Sequence, residues 1–157
     1  MRPPVLVQEA ASIIQPLADE NNVELRLHLE HVGEAYWDKR SIQRVLVNLG
    51  TDAVDACRFD PDRGKNFVVA MSLGLKGRAE GEERIVIEVS DNGCGMDEEI
   101  KEKIFSRFFS TKGGQGTGLG LLLSKKIVEE HGGPISFDST RGEGTKFRVM
   151  LPRGSQL

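Results

Sequence analysis

The chain has 157 residues, of which 38% are hydrophobic and 29% charged, with a formal net charge of −3. This describes one globular domain with a substantial core and without the basic footprint that nucleic acid demands. No apolar run approaches the roughly 20 residues that cross a bilayer. No signal-peptide layout opens the chain, and Cys57 and Cys94 form neither a metal spacing nor a disulfide framework, which points to a reducing cytoplasm.

Residues 1–4 read as a linker, because two prolines hold off helix formation. "VLVQEAASIIQPLADE" then places Val5, Ala10, Ile13, Ile14 and Leu17 on one helical stripe, with Pro16 predicting a kink or an early stop. "NNVELRLHLE" alternates strictly and reads as a strand with one wet face. A helix follows over about 38–57, capped by Asp38, with Ile42, Leu46, Leu49, Ala53 and Ala56 facing the core. "PDRG" is a turn, and strands are expected near 67–75 and 84–90, joined by the polar "KGRAEGEE". A short helix over 97–106, a glycine-rich stretch, a helix over 118–130 and the strands "PISFDS" and "TKFRVML" complete the domain. Residues 153–157 read as a tail. Pairs of adjacent strands argue for an α+β fold, a two-layer α/β sandwich. Its sheet would be mixed and mainly antiparallel, with helices on one face.

Two segments point to a ligand. "GQGTGLG" (114–120) runs straight into a helix. It is no Walker loop, since Lys112 precedes the glycines, and no dinucleotide fingerprint, since the spacing is absent. Glycine amides and a helix N-terminus together suit an anion, with Thr111 and Lys112 adding a hydroxyl and a cation. "SDNGCGM" (90–96) sets Asp91 at a strand end, where a carboxylate accepts a hydrogen bond from an exocyclic amine such as that of adenine. Asn48, Asp52 and Asp55 share one helical stripe, and oxygen donors so arranged suit Mg²⁺ bridging phosphates, although a solvated helix face explains them equally well.

Taken in order, "NLGTDAVDA", "DNGCGM", "IFSRFFSTK", "GQGTGLGL" and "GEGTKF" resemble the nucleotide-binding boxes of sensor histidine kinases. Those kinases share a wider family with type II topoisomerases, 90-kDa chaperones and mismatch-repair ATPases. The resemblance covers residues 5–152. It implies an ATP-binding catalytic domain with a mobile lid over about 97–118. By that resemblance Asp91 reads adenine, Gly93 and Gly95 line the base, and Thr145 sits near it. Gly116, Thr117, Gly118, Leu119 and Gly120 hold phosphates, while Phe105, Phe108 and Phe109 anchor the lid. Asn48 and Lys112 take the catalytic positions, and Asn48 and Asp52 hold Mg²⁺.

The sequence departs from that pattern at one place. The second asparagine of the usual N-L-x-x-N-A box is Asp52 here, and Asp55 stands where many relatives carry lysine. Two carboxylates beside a triphosphate predict a stronger metal requirement, with Lys112 as the compensating cation. The topoisomerase and chaperone branches carry a glutamate where Asn48 stands, and an amide is no general base at neutral pH. The expected activity is therefore transfer of the ATP γ-phosphate to a histidine of a separate dimerisation and phosphoacceptor domain, with a response regulator downstream. No phosphoacceptor helix precedes Val5, so the chain reads as an excised, monomeric, cytoplasmic catalytic module that makes no membrane contact itself. A nucleotide sensor without transfer activity and an anti-sigma-type serine kinase stand as alternatives.

Overall fold

The computed structural model describes residues 1–77, 83–106 and 120–155. Among these residues nine elements follow in chain order: α1 (Pro3–Glu20), β1 (Glu24–Leu29), α2 (Lys39–Arg58), β2 (Val68–Lys76), β3 (Arg84–Asp91), α3 (Glu98–Lys103), α4 (Gly120–Glu130), β4 (Ile135–Thr140) and β5 (Gly144–Pro152). The five strands form one sheet in the order β1-β2-β3-β5-β4. Only β1 and β2 run parallel, the long return being made by α2, and every other pair is antiparallel. This is the mixed, mainly antiparallel two-layer sandwich that the strand pattern predicts.

The register follows from alternation. On β2, β3 and β5 the inward residues Val69, Met71, Leu73, Ile85, Ile87, Val89, Phe147, Val149 and Leu151 are buried beneath α1, α2 and α4. Cross-strand partners such as Ile87 and Val149, or Ile85 and Leu151, lie directly opposite one another. The outward face carries the charged side chains of these strands, and Glu88 meets Lys146 at 3.6 Å and Arg148 at 3.4 Å. A one-residue slip would exchange the two faces, so the register is strongly specified.

Several expectations change in detail. Pro3 and Pro4 occupy the first turn of α1, where a missing N–H costs nothing, so the helix begins two residues earlier than the sequence suggests. It also runs unbroken past Pro16, which lies on the exposed side with the orphaned carbonyl of Ser12 open to water. The buried stripe of α1 is Leu6, Val7, Ala10, Ala11, Ile14 and Ala18, whereas Val5 and Ile13 are 41% and 54% exposed. Small residues decide this phase. A Cβ on Gly50 of α2 would sit 2.5 Å from Ile14 Cδ1, so the two helices cross too closely for larger side chains. β1 is a sheet edge, and its Leu27 is 42% exposed rather than buried. Arg153 is no loose tail: its guanidinium donates to the carbonyls of Val32 and Glu34 and so ties the end of β5 to the segment before α2.

Candidate functional site

α2 and β3 build the site between them. Asp38 caps α2 by accepting from the Ser41 N–H and hydroxyl, and the helix then carries Asn48, Asp52 and Asp55 along its length. β3 ends at Asp91. A turn follows that is stitched on two sides: the Cys94 N–H donates to the Ala56 carbonyl, and the Gly142 N–H donates to the Cys94 carbonyl. Asn92 holds the turn to the start of β2, its Oδ1 accepting from the Val68 N–H and its Nδ2 donating to the Asn66 carbonyl, both at 2.8 Å.

Between these elements lies a cavity lined by Asp52, Ala53, Asp55, Ala56, Phe59, Asp91, Cys94, Gly95, Met96, Ile104, Leu121, Thr145 and Phe147. Its walls are largely apolar, and three carboxylates enter it. Asp91 Oδ1 accepts the Gly93 N–H at 2.8 Å. The Thr145 backbone, directly opposite in the register, supplies a second N–H. Burial nevertheless pushes the Asp91 carboxyl up to about 6; the two backbone N–H groups and the Lys65 cation oppose the shift, and Asp60 adds to it. The same burial drives Cys57 up to about 12 and raises Cys94, which disfavours the thiolate form of both.

Thr145 is buried, and its hydroxyl shares a 2.7 Å hydrogen bond with Ser139. Ser139 also accepts the Met96 N–H at 2.8 Å, joining the Asp91 turn to β4. Neither Ser139, nor Lys65 behind the turn, nor Phe59 at the cavity wall carries a local sequence signal for these places. Asn92 and the wall residues Met96, Ile104 and Phe147 do lie within the nucleotide-binding boxes.

The two glycines of the turn, which the resemblance has lining the base, differ in whether they reach the cavity. A Cβ on Gly93 would meet the Ala56 carbonyl group at 2.5 Å, and Gly93 does not line the cavity. Gly95 does line it. Its φ of +66° and its clash course with the Thr140 carbonyl demand glycine whether or not a ligand is present. Both glycines let backbone pack on backbone.

Asn48 does not share this cavity. Its Nδ2 donates to Ser124 Oγ on α4 at 3.1 Å, and it lines an adjoining groove with Arg44, Thr51 and Gly120. The structure thus brings together Asp52, Asp55, Asp91, Gly95 and Thr145, with Asn48 and Gly120 next door. Lys112, Gly116, Thr117, Gly118 and Leu119, with Phe108 and Phe109, lie outside the described residues. Phe105 stacks edge-on against Phe137 and Phe147 at centroid distances of 5.7 and 6.4 Å, which fixes the chain as it leaves α3. Among the described residues no group of three or more His, Cys, Asp or Glu side chains forms a metal cage. The hard oxygens of Asp52 and Asn48 fit a cation that takes its remaining ligands from water and phosphate.

A carboxylate at a strand end, an apolar cavity and a following glycine-rich segment form the setting in which residues 37–155 match the family described as "Histidine kinase-, DNA gyrase B-, and HSP90-like ATPase". The chain belongs to that family. It is 30% identical over 148 residues to sporulation kinase E of Bacillus subtilis, covering 94% of this chain and 19% of that protein. It is 33% identical over 152 residues to the sensor protein FixL of Bradyrhizobium diazoefficiens, covering 96% of this chain and 28% of that one. The catalytic domain of the histidine kinase ThkA superposes with a TM-score of 0.78 at 28% identity, covering 98% of this chain and 93% of the other. The full-length kinase ShkA, at 22% identity and a TM-score of 0.78, shares the fold. The chain therefore has the catalytic, ATP-binding domain of the histidine-kinase branch. It spans less than a third of the curated relatives just named.

Proposed function

We propose that this domain binds ATP in the Asp91 cavity and passes the γ-phosphate to a histidine on a separate dimerisation and phosphoacceptor domain. One observation carries the reading: an aspartate held at the end of β3 by two backbone N–H groups, inside an otherwise apolar pocket. Such a carboxylate is an acceptor poised for an exocyclic amine, and the apolar walls Met96, Ile104 and Phe147 suit a planar base. That ShkA was solved with AMPPNP bound supports the same use of the fold.

The remaining roles follow the chemistry of the side chains. Asp52 and Asn48 would hold Mg²⁺, which neutralises phosphate charge and orients the γ-phosphate when bound. Lys112 would face the triphosphate as a cation, with Gly116, Thr117, Gly118, Leu119 and Gly120 offering backbone N–H groups. Asn48 is an amide already donating to Ser124 and offers no base to activate water. A neutral imidazole nitrogen needs none. Its lone pair forms the N–P bond as the bond from the γ-phosphorus to the bridging oxygen breaks, and ADP leaves. The parent would work in the cytoplasm and feed a response regulator.

The additional carboxylates favour one second reading, a nucleotide sensor without transfer activity. Titration of ATP with and without Mg²⁺ into wild type, Asp91→Ala and Asp52→Asn tests the pocket. Binding is expected to vanish in Asp91→Ala, and the metal requirement to relax in Asp52→Asn. Adding a separately produced acceptor hairpin with radiolabelled ATP tests transfer. Nucleotide binding without label on the hairpin would favour the sensor, and label on serine would favour an anti-sigma-type kinase.

A further inference from the structure

Lys65 belongs to the loop between α2 and β2, outside every nucleotide-binding box, yet it is among the most heavily engaged cations of the described residues. Its Nζ lies 2.6 Å from Asp60 Oδ2, 2.7 Å from the Gly142 carbonyl, and 3.2 Å from the carbonyls of both Asn92 and Gly93. The Lys65 side chain is 20% exposed, and that of its counter-ion Asp60 is 4% exposed.

The Asn92 carbonyl and the Gly93 N–H are the two ends of one peptide group. Lys65 holds the oxygen end, and the nitrogen end donates to Asp91 Oδ1 at 2.8 Å. A cation on the carbonyl turns that peptide plane so that its N–H points at Asp91, and polarises the N–H as well. The Gly142 carbonyl belongs to the β4–β5 turn, three residues before Thr145, whose N–H is the second donor to Asp91. One ammonium thus braces the sources of both hydrogen bonds on the Asp91 carboxylate.

We infer that Lys65 is a positioning residue for base recognition, aiming Asp91 at the 6-amino group of the nucleotide through the Asn92–Gly93 peptide. The inference rests on the reading that Asp91 accepts from that amine. The groups facing Asp91 are Lys65 and Asp60 from the α2–β2 loop, Cys57 from α2 and Cys94 from the turn. Lys65 is the cation among them. Asp52 and Asp55 enter the same cavity from α2.

The test compares ATP with purine riboside 5′-triphosphate, which lacks the 6-amino group, by calorimetry. Lys65→Met leaves Asp60 buried and uncompensated, so Lys65→Met/Asp60→Asn is the second variant, with far-UV circular dichroism checking that each is folded. Wild type is expected to prefer ATP, and the preference to fall about tenfold in the folded variants, the scale of one charge-assisted hydrogen bond. A purely structural Lys65 would weaken both nucleotides equally; a wild-type preference kept in the double variant overturns the inference. Equal affinity of wild type for the two nucleotides overturns the Asp91 reading itself, and the inference with it.

Discussion

At its N-terminal end α2 is anchored by Trp37, a buried indole whose Nε1 donates to the Pro152 carbonyl, and by Asp38, whose N–H donates to His131 Nε2 on the segment after α4. At its C-terminal end the same helix adds a dense set of polar contacts to the packing of Ala53, Val54 and Cys57. Arg63 donates to the carbonyls of Cys57, Arg58 and Asp60; the Ala56 carbonyl takes the Cys94 N–H; and Lys65 with Asp60 closes the loop. The first end secures the fold by burying area. The second places a carboxylate. Apolar packing tolerates small shifts, whereas hydrogen bonds fix direction, and a recognition site needs direction.

The sharpest break in that comparison is Trp37→Ala. It removes the apolar anchor and strands the Pro152 carbonyl, and is expected to cost about 3 kcal/mol in urea unfolding. Nucleotide affinity of the folded fraction should stay within about twofold, since the charged end is untouched. A large loss of affinity at unchanged stability would invert the assignment of the two ends.

Next in size is a pH effect confined to the C-terminal end. Free Asp91 takes up its proton near pH 6, and an amine donor on the carboxylate favours the ionised form. Binding therefore releases a proton below that value. Affinity should fall by up to about tenfold per pH unit on the acid side of 6 and level off above it. Because ATP itself titrates in this range, the profile of Asp91→Asn is the reference; a slope identical in the variant would assign the effect to the nucleotide.

A pair of variants tests the phase of α1, and its second member carries the smallest expected effect. Ile14→Ala should cost about 3 kcal/mol, and Ile13→Ala within about 0.5 kcal/mol, although the two are neighbours in the chain. Comparable losses would restore the stripe that the sequence suggests.

That pair also marks where the sequence is readable. β2, β3 and β5 place large apolar residues at every second position, so they were legible as strands, and so was the position of Asp91 at a strand end; their pairing and register come from contacts distant in sequence. α1 was legible as a helix but not in rotation. Its inner face uses Ala10, Ala11 and Ala18, which add little to an apolar stripe, and the large Val5 and Ile13 pulled the pattern towards solvent. Of the site, the motif residues on α2 and after β3 were legible because their spacing is local. Lys65 and Ser139 were not, because their partners come from 27 and 77 residues away for Lys65 and 43 for Ser139. Gly93 shows a subtler gap. Its position was evident, yet only the approach of the Ala56 backbone shows what the missing side chain makes room for.

Burial of Asp91 has a consequence for the empty domain as well. Its folded-state pKa lies above the ordinary carboxylate value, so its contribution to stability is fully present only in acid and is lost as pH rises through about 6. At neutral pH the unliganded protein carries that charge at a cost, and a ligand amine relieves it. Nucleotide therefore acts as a thermal stabiliser through an affinity that includes this relief, and the melting temperature of this domain becomes a gauge of pocket occupancy, most responsive where Asp91 is ionised.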